Sequence, residues 1–436
     1  MRRSAAQWLE MAERVRDYRR DQLTEAQMLK LQTATGDLQA RLKEKAGIPV
    51  LTKTIEKLES VMREVGGRIY PVTSLVENVD FFLVAAIVIL GMRAYFVQPF
   101  KIPTNSMYPT YYGMTSEVFK AGGEPRLPAK IGRLLTLGAV NYTMTAAADG
   151  EVKIPFFANG QVAYTERPGR TMGVFPALMH DYDISVGGQM TRITVPADWA
   201  KSGDFGFDSV VSKTFFGGTR LALYNALQAA ANARQLENST LQDTYSGQRR
   251  AIFWLSTGRT LHKGESILSF DILTGDMLFV DRVTYNFFPP KVGQGFVFHT
   301  RQIAGIGVDQ YYVKRLVGLP GDTLEVRRPV QNVTDGAPSG IGANDGQLFR
   351  NGKPIDGADA FVKNSNKEGL YPGYTAGGLL EFGQILKVPD KMFFAMGDNS
   401  PSSSDGRVWG SIPDKEVVGR PLFIYYPITS RWGVAR

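Results

Sequence analysis

Apolar and polar positions repeat with a helical period over the first 67 residues. Leu31, Leu38 and Leu42 fall on one face, and Ile55, Leu58, Met62 and Val65 on another. Charged residues of both signs fill the positions between. Ser4 with Gln7, and Thr24 with Gln27, match the capping-box pattern, and Gly66-Gly67 marks a stop. The pattern predicts a short helical hairpin or coiled coil, with a solvated helical tail as the plainer alternative. The pattern then changes. Phe81 to Met92, FFLVAAIVILGM, is apolar without interruption, and the run continues past Arg93 to Val97. At ~1.5 Å per residue this segment spans ~26 Å, enough for a bilayer core. Arg93 can reach the headgroups, and Tyr95 and Phe96 suit the interface. The run lies too deep in the chain for a cleaved leader. Lysine and arginine near its ends are balanced, with Arg63 and Arg68 before and Arg93 and Lys101 after, so local charge does not set its orientation.

Residues 115–262 read as a separate α+β unit. It mixes strand-like pieces such as RLLTLGAV and RITVPADW with one good helix, Thr219–Leu236. From about residue 270 the chain alternates short apolar runs (GDMLFVDRV, GFVFHT, QYYVKRLVGL, DTLEVRR, MFFAMGDN, PLFIYYP) with Gly, Pro, Asn and Asp. That pattern predicts an antiparallel β domain.

Composition narrows the chemistry. The 436 residues suffice for two or three domains, and 46 Gly with 23 Pro favour turn-rich β structure. There is no cysteine, which excludes disulfides, thiolate catalysis and cysteine-bound zinc. Only His180, His262 and His299 are present, so a histidine-rich metal site is not supported and no cofactor is expected. The net charge of +8 is dispersed, without the concentrated basic face that nucleic-acid binding needs, and it suits an anionic lipid surface better.

The stretch FKIPTNSMYPT, Phe100–Thr110, follows the apolar run directly. Pro103 and Pro109 bracket Ser106 and restrict its backbone. A nucleophilic serine needs a base and an oxyanion hole. Thr104 can offer a hydroxyl beside the Ser106 backbone N–H. Two bases are candidates: His299 in FVFHTR, and Lys314 between Val313 and Leu316-Val317 in an apolar strand, where burial would favour the neutral amine. A Gly/Asn/Ser-rich loop, AMGDNSPSSSDGRVWGSIP, carries Asp398, Asp405 and Arg407.

Together these pieces resemble the bacterial type I signal peptidases, membrane serine proteases of the Ser–Lys type. FKIPTNSMYPT is similar to that family's nucleophile segment behind a membrane span. GDMLFVDRVTYNF, YYVKRLVGLPGD, MGDNSPSSSDGRVWG and VVGRPLFIYYP resemble its later segments, in order. The resemblance covers residues ~75–114 and ~265–430. It implies Ser106 as nucleophile and Lys314 as general base. The Ser106 N–H and the Thr104 hydroxyl would form the oxyanion hole, and Ser403 would orient the lysine amine. Asp405 with Arg407, and Asp398 with Arg315, would be structural ion pairs. Ile102, Pro103, Met107, Tyr312 and Val313 would line shallow pockets that admit small side chains. Ser400-Pro401-Ser402 and Gly406 depart from the family's usual residues, and residues 115–262 lengthen the usual spacing between the serine and the lysine.

The implied fold is mainly β. It has an antiparallel signal-peptidase-like core at 99–114 and 263–436 with a β-rich addition around 325–390, and the 115–262 insertion docked on its side. A transmembrane helix at 79–98 and a cytoplasmic helical region at 1–78 precede it. The implied setting is the cytoplasmic membrane, crossed once, with the catalytic domain on the extracytoplasmic side and exported preproteins as substrates. Two other readings share the residues. A self-cleaving repressor of the SOS type lacks the membrane segment. A catalytically inactive membrane interaction protein would have no need to keep Ser106, Lys314 and Ser403 together.

Overall fold

The computed structural model describes residues 2–71, 74–120, 122–171, 175–201, 203–218, 220–243, 245, 247–307, 309–328 and 345–435. The chain forms two compact units, Met1–Met92 and Arg93–Arg436.

In the first unit, helices α1 (Arg2–Arg19), α2 (Glu25–Lys43) and α3 (Ile48–Val65) share one apolar core. Ala5, Ala12 and Val15 face Leu31, Leu38, Leu51, Leu58 and Met62, so the expected hairpin is a three-helix packing. Thr24 closes a reciprocal capping box with Gln27 at the start of α2. Ser4 does not cap, because α1 already begins at Arg2. Helix α4 (Ser74–Tyr95) contains a stretch, Glu77–Tyr95, long and apolar enough to cross a membrane, with none of it buried. The expected span to residue 98 is cut short. Val97 already begins strand Val97–Lys101, which pairs with Met277–Asp281 at the edge of a sheet. Pro99 disfavours helix at the residue before it and is tolerated on an edge strand.

In the second unit, eight strands among the described residues form one antiparallel sheet. Its order is Val97–Lys101, Met277–Asp281, Val417–Tyr426, Gly295–His299, Tyr311–Gly318, Met392–Met396 and Ile412–Pro413, with Gly433–Val434 beside Val417–Tyr426. Segments from residue 97 and from beyond residue 276 thus meet in one sheet, which closes the long sequence gap between Ser106 and Lys314. The β-rich addition is a five-stranded sheet built on Thr323–Arg327 and Asp345–Arg350. Leu324, Leu348, Phe361, Leu380 and Phe394 fill its core.

The insertion contains a six-stranded sheet around Gly150–Phe157, Phe175–Val186 and Arg249–Leu261. A three-stranded sheet accompanies it, made of Thr115–Phe119, Ser266–Leu273 and Val140–Thr145. The helix expected over 219–236 forms at Arg220–Asn232. The expected boundary at 262 falls inside a continuous core. Strand Ser266–Leu273 buries Ile267, Leu268, Phe270 and Ile272 in the same cluster as Ile154, Tyr182, Trp199 and Phe207. The sequence pattern hid this, because Ser266–Leu273 reads as a strand of either neighbour.

Candidate active site

Ser106 sits on a tight turn between strands Val97–Lys101 and Thr115–Phe119. Asparagine holds that turn. The Asn105 side chain donates to the Met114 carbonyl at 2.8 Å and accepts from the Gly113 N–H at 2.9 Å. A Cβ at Gly113 would lie 2.3 Å from the Thr104 carbonyl carbon, so the staple closes only over glycine. The loop at 397–399 grips the turn from another side. The Asn399 N–H donates to the Ser106 carbonyl and its side-chain amide to the Asn105 carbonyl, both at 3.1 Å. A Cβ at Gly397 would come within 2.3 Å of the Ser106 carbonyl and 2.2 Å of Ser403 Oγ. Beneath the turn, Ile102, Met107 and Tyr111 pack against Leu278, Val280, Val297 and Ile424.

Strand Tyr311–Gly318 supplies two adjacent cations, and strand alternation directs them to opposite faces. Lys314 Nζ donates to Ser106 Oγ at 2.5 Å. Lys314 is 4 % exposed, and its amine lies 5.7 Å from the Tyr312 ring centroid. Burial lowers its pKa from 10.5 to about 8; Asp405 and Asp398 pull upward, Arg407 pushes down, and desolvation outweighs them. Arg315 turns the other way and makes a two-pronged pair with Asp398, at 2.7 and 2.6 Å, with both side chains buried. It also donates to the Gly293 carbonyl at 2.6 Å and to Thr110 on the serine turn at 3.2 Å. Burial works against the guanidinium charge, yet attraction and hydrogen bonding from Asp398 together raise its pKa. Asp405 pairs with Arg407 at 2.8 and 2.9 Å and accepts the Gly397 N–H at 3.0 Å. Arg407 in turn donates to the carbonyls of Thr375 and Ser400. The two ion pairs thus fix the loop that grips the serine turn.

The expected residues separate into groups. Ser106, Lys314, Asp398, Arg315, Asp405 and Arg407 form one connected assembly. Thr104 is exposed. Among the described residues, neither its hydroxyl nor the Ser106 N–H is engaged in a hydrogen bond. Ser403 departs from expectation. Its hydroxyl is buried with no hydrogen-bond partner, because the Lys314 amine is directed at Ser106 and Ser403 is left against Gly397. Ile102 and Met107 also depart. They belong to the core beneath the turn, because their apolar side chains are its inner face. Pro103 is exposed, while Tyr312 and Val313 are half-buried. His299, the other candidate base, pairs with Asp309 at 2.8 Å.

Asn105, Thr110, Asn364, Gly397 and Asn399 were not singled out from sequence. Asn364 donates to the Asp398 carbonyl at 3.1 Å, and Thr110 bonds the Asp398 carboxylate. Asn105 and Asn399 each adjoin a residue that sequence reasoning did select. Asparagine in a Pro- or Gly-bounded turn is the signal that could have found them.

Two outcomes follow from these electrostatics. Asp398→Ala leaves Arg315 buried and uncompensated, and should lower stability by about 3–5 kcal/mol in urea denaturation. Lys314 has a depressed folded-state pKa, so the unfolded chain binds more protons between pH 8 and 10.5. The resulting penalty, about 3 kcal/mol, is present in full below pH 8 and fades as pH rises to 10.5. Lys314→Met should therefore stabilise the chain at pH 7, by about 1–3 kcal/mol after loss of the bond to Ser106, and the gain should shrink above pH 8. A pH-independent difference would contradict this.

A family profile described as "Signal peptidase, peptidase S26" matches residues 259–426. A probable signal peptidase I-1 of Synechocystis is 33 % identical over 36 % of this chain and 66 % of its own length. Signal peptidase I S of Bacillus subtilis is 35 % identical over 28 % of this chain and 55 % of its own length. The chain spans between about half and two thirds of the length of the first curated relatives it matches. The crystal structure of a signal peptidase I from Enterococcus faecalis V583 is 27 % identical, with a TM-score of 0.21, over 30 % of this chain and 97 % of that one. With the ordered segments assembled around Ser106 and Lys314, the profile match and the curated relatives support a type I signal peptidase.

Proposed function

We propose that the chain is a membrane-bound serine endopeptidase that removes N-terminal signal peptides from exported preproteins, with Ser106 as nucleophile and Lys314 as general base. The observation that carries this reading is the 2.5 Å contact between Lys314 Nζ and Ser106 Oγ, made by an amine that burial brings to a pKa of about 8. A lysine at its ordinary pKa is almost wholly charged at neutral pH and accepts no proton. One near 8 keeps a useful neutral fraction.

The neutral amine takes the Ser106 hydroxyl proton as Oγ bonds to the scissile carbonyl carbon. The Ser106 N–H and the Thr104 hydroxyl receive the oxyanion. The C–N bond then breaks, the lysine ammonium gives its proton to the leaving amine, and an acyl-enzyme remains on Oγ. Water loses a proton to Lys314 and attacks the ester. The proton returns to Ser106 Oγ as the C–O bond breaks. No metal or cofactor enters the scheme. Tyr312, Val313 and Pro103, which keep surface beside the dyad, restrict the substrate to small side chains, giving small-x-small sites such as Ala-x-Ala.

The candidate span ends at Tyr95, eleven positions before Ser106. In this reading it crosses the cytoplasmic membrane once and residues 1–78 stay inside. The catalytic unit works at the outer surface, where a signal peptide in the bilayer presents its cleavage site. Tethering enzyme and substrate to one surface replaces a three-dimensional search.

The test is cleavage of a preprotein carrying an Ala-x-Ala site by the detergent-solubilised full chain, with the new N-terminus sequenced. The wild type should cut after the second Ala, and Ser106→Ala should lose at least about 10³-fold in rate. The rate should rise with pH through a midpoint near 8, as Lys314 loses its proton. Undiminished cleavage by Ser106→Ala would remove Ser106 as nucleophile. A folded wild type that cuts nothing would favour the interaction-protein reading.

A further inference from the structure

Helix Leu127–Leu137 in the insertion has no buried residue, and its amphipathic sense is reversed. The side chains it turns toward the body are Lys130, Arg133 and, at its end, Leu137. Arg133 bonds the buried Asp271 at 2.7 Å and Glu117 at 2.5 Å, lies over the Phe119 ring, and has half-buried Lys130 one turn before it. Four of its apolar side chains point out, with Leu127 71 %, Leu135 69 % and Ile131 51 % exposed, and Leu134 beside them. A helix on a water-facing surface normally does the opposite. Single exposed apolar residues need no explanation, but here a whole face at i, i+4, i+7 and i+8 is exposed while the charged face is spent on a buried carboxylate.

The apolar surface continues onto the C-terminal segment. The Ile428 N–H donates to the Thr136 carbonyl at 2.8 Å and the Tyr426 hydroxyl to the Leu134 carbonyl at 3.0 Å. Ile428 and Trp432 of that segment are themselves exposed. No acidic residue occurs between Arg126 and Leu137, and Arg126 and Lys130 supply positive charge beside the patch, while Arg431 is taken up by Asp276. Leucine and isoleucine on one face, tryptophan at its border, and Arg126 and Lys130 on a helix without acidic residues make up the composition of a surface that lies in a lipid headgroup layer. The same chain carries a candidate membrane span that ends at Tyr95, thirty-two positions before Leu127.

We infer that helix Leu127–Leu137, with Ile428 and Trp432, is a docking surface for an anionic lipid bilayer. The inference rests on the membrane setting of the function proposed above, but not on the Ser–Lys chemistry. The helix would lie in the interface plane with its leucines in the acyl boundary, and give the insertion a second point of membrane contact. The salt-sensitive part of the contact would come from the flanking cations.

The chain has no cysteine, so a single one can carry a probe. Full-length Ile131→Cys, and Asn238→Cys on an exposed strand of the insertion as control, are labelled with an environment-sensitive fluorophore. They are reconstituted in vesicles of equal parts phosphatidylglycerol and phosphatidylcholine, with and without doxyl-labelled lipid. The label at 131 should shift to the blue and lose about half or more of its emission to the doxyl lipid, while the label at 238 does neither. Equal, unquenched emission at both positions would overturn the inference. A blue shift at 131 without lipid quenching would also overturn it, and would instead point to a second copy or another protein on this face. The two proposals fail separately: quenching at 131 in a chain that cleaves no preprotein leaves the docking surface standing, and cleavage without quenching removes the docking surface alone.

Discussion

A lysine amine held out of water beside a serine hydroxyl is the constraint on which the rest of the second unit turns. An ammonium there is costly, so the surroundings must tolerate a neutral amine without letting it move. The sheet provides this by placing Lys314 mid-strand, between Gly295–His299 and Met392–Met396. The same strand carries Arg315 in the opposite direction, where Asp398 compensates it fully. Two neighbouring cations therefore have opposite fates. One is stabilised in its charged form by a carboxylate pair, and the other is destabilised in its charged form by burial.

The serine is fixed with equal care. Its turn is stapled by Asn105, clamped by Asn399 and packed over Ile102 and Met107. The clamp loop is itself fixed by Asp405 and Arg407, and by glycines where a Cβ would collide. A site assembled from segments separated by 208 residues keeps a short contact only because these supports converge on it. The orphan hydroxyl of Ser403 lies at that convergence.

Much of this was legible in the sequence. Ser106, Lys314 and the two ion pairs sit in ordered segments whose flanking Pro, Gly and apolar residues report strand and turn. Capping at Thr24 and the stop at Gly66 were equally readable, because they are local signals. What escaped depends on three-dimensional placement. Ile102 and Met107 look like pocket residues by proximity to Ser106, and only the sheet behind the turn makes them core. Ser403 lies near the right loop but has its hydroxyl against Gly397. Strand Ser266–Leu273 has no local mark assigning it to the insertion, and RLLTLGAV, expected as strand, lies largely in helix Leu127–Leu137, where Arg133 turns inward to Asp271.

The most direct test of this account is the titration of the Lys314 amine itself, by nuclear magnetic resonance of the isotope-labelled chain in detergent, assigned by comparison with Lys314→Met. The account predicts a midpoint near 8, the value burial imposes on this amine. A Lys314 that stays charged up to the ordinary lysine value of 10.5 would contradict the general-base assignment.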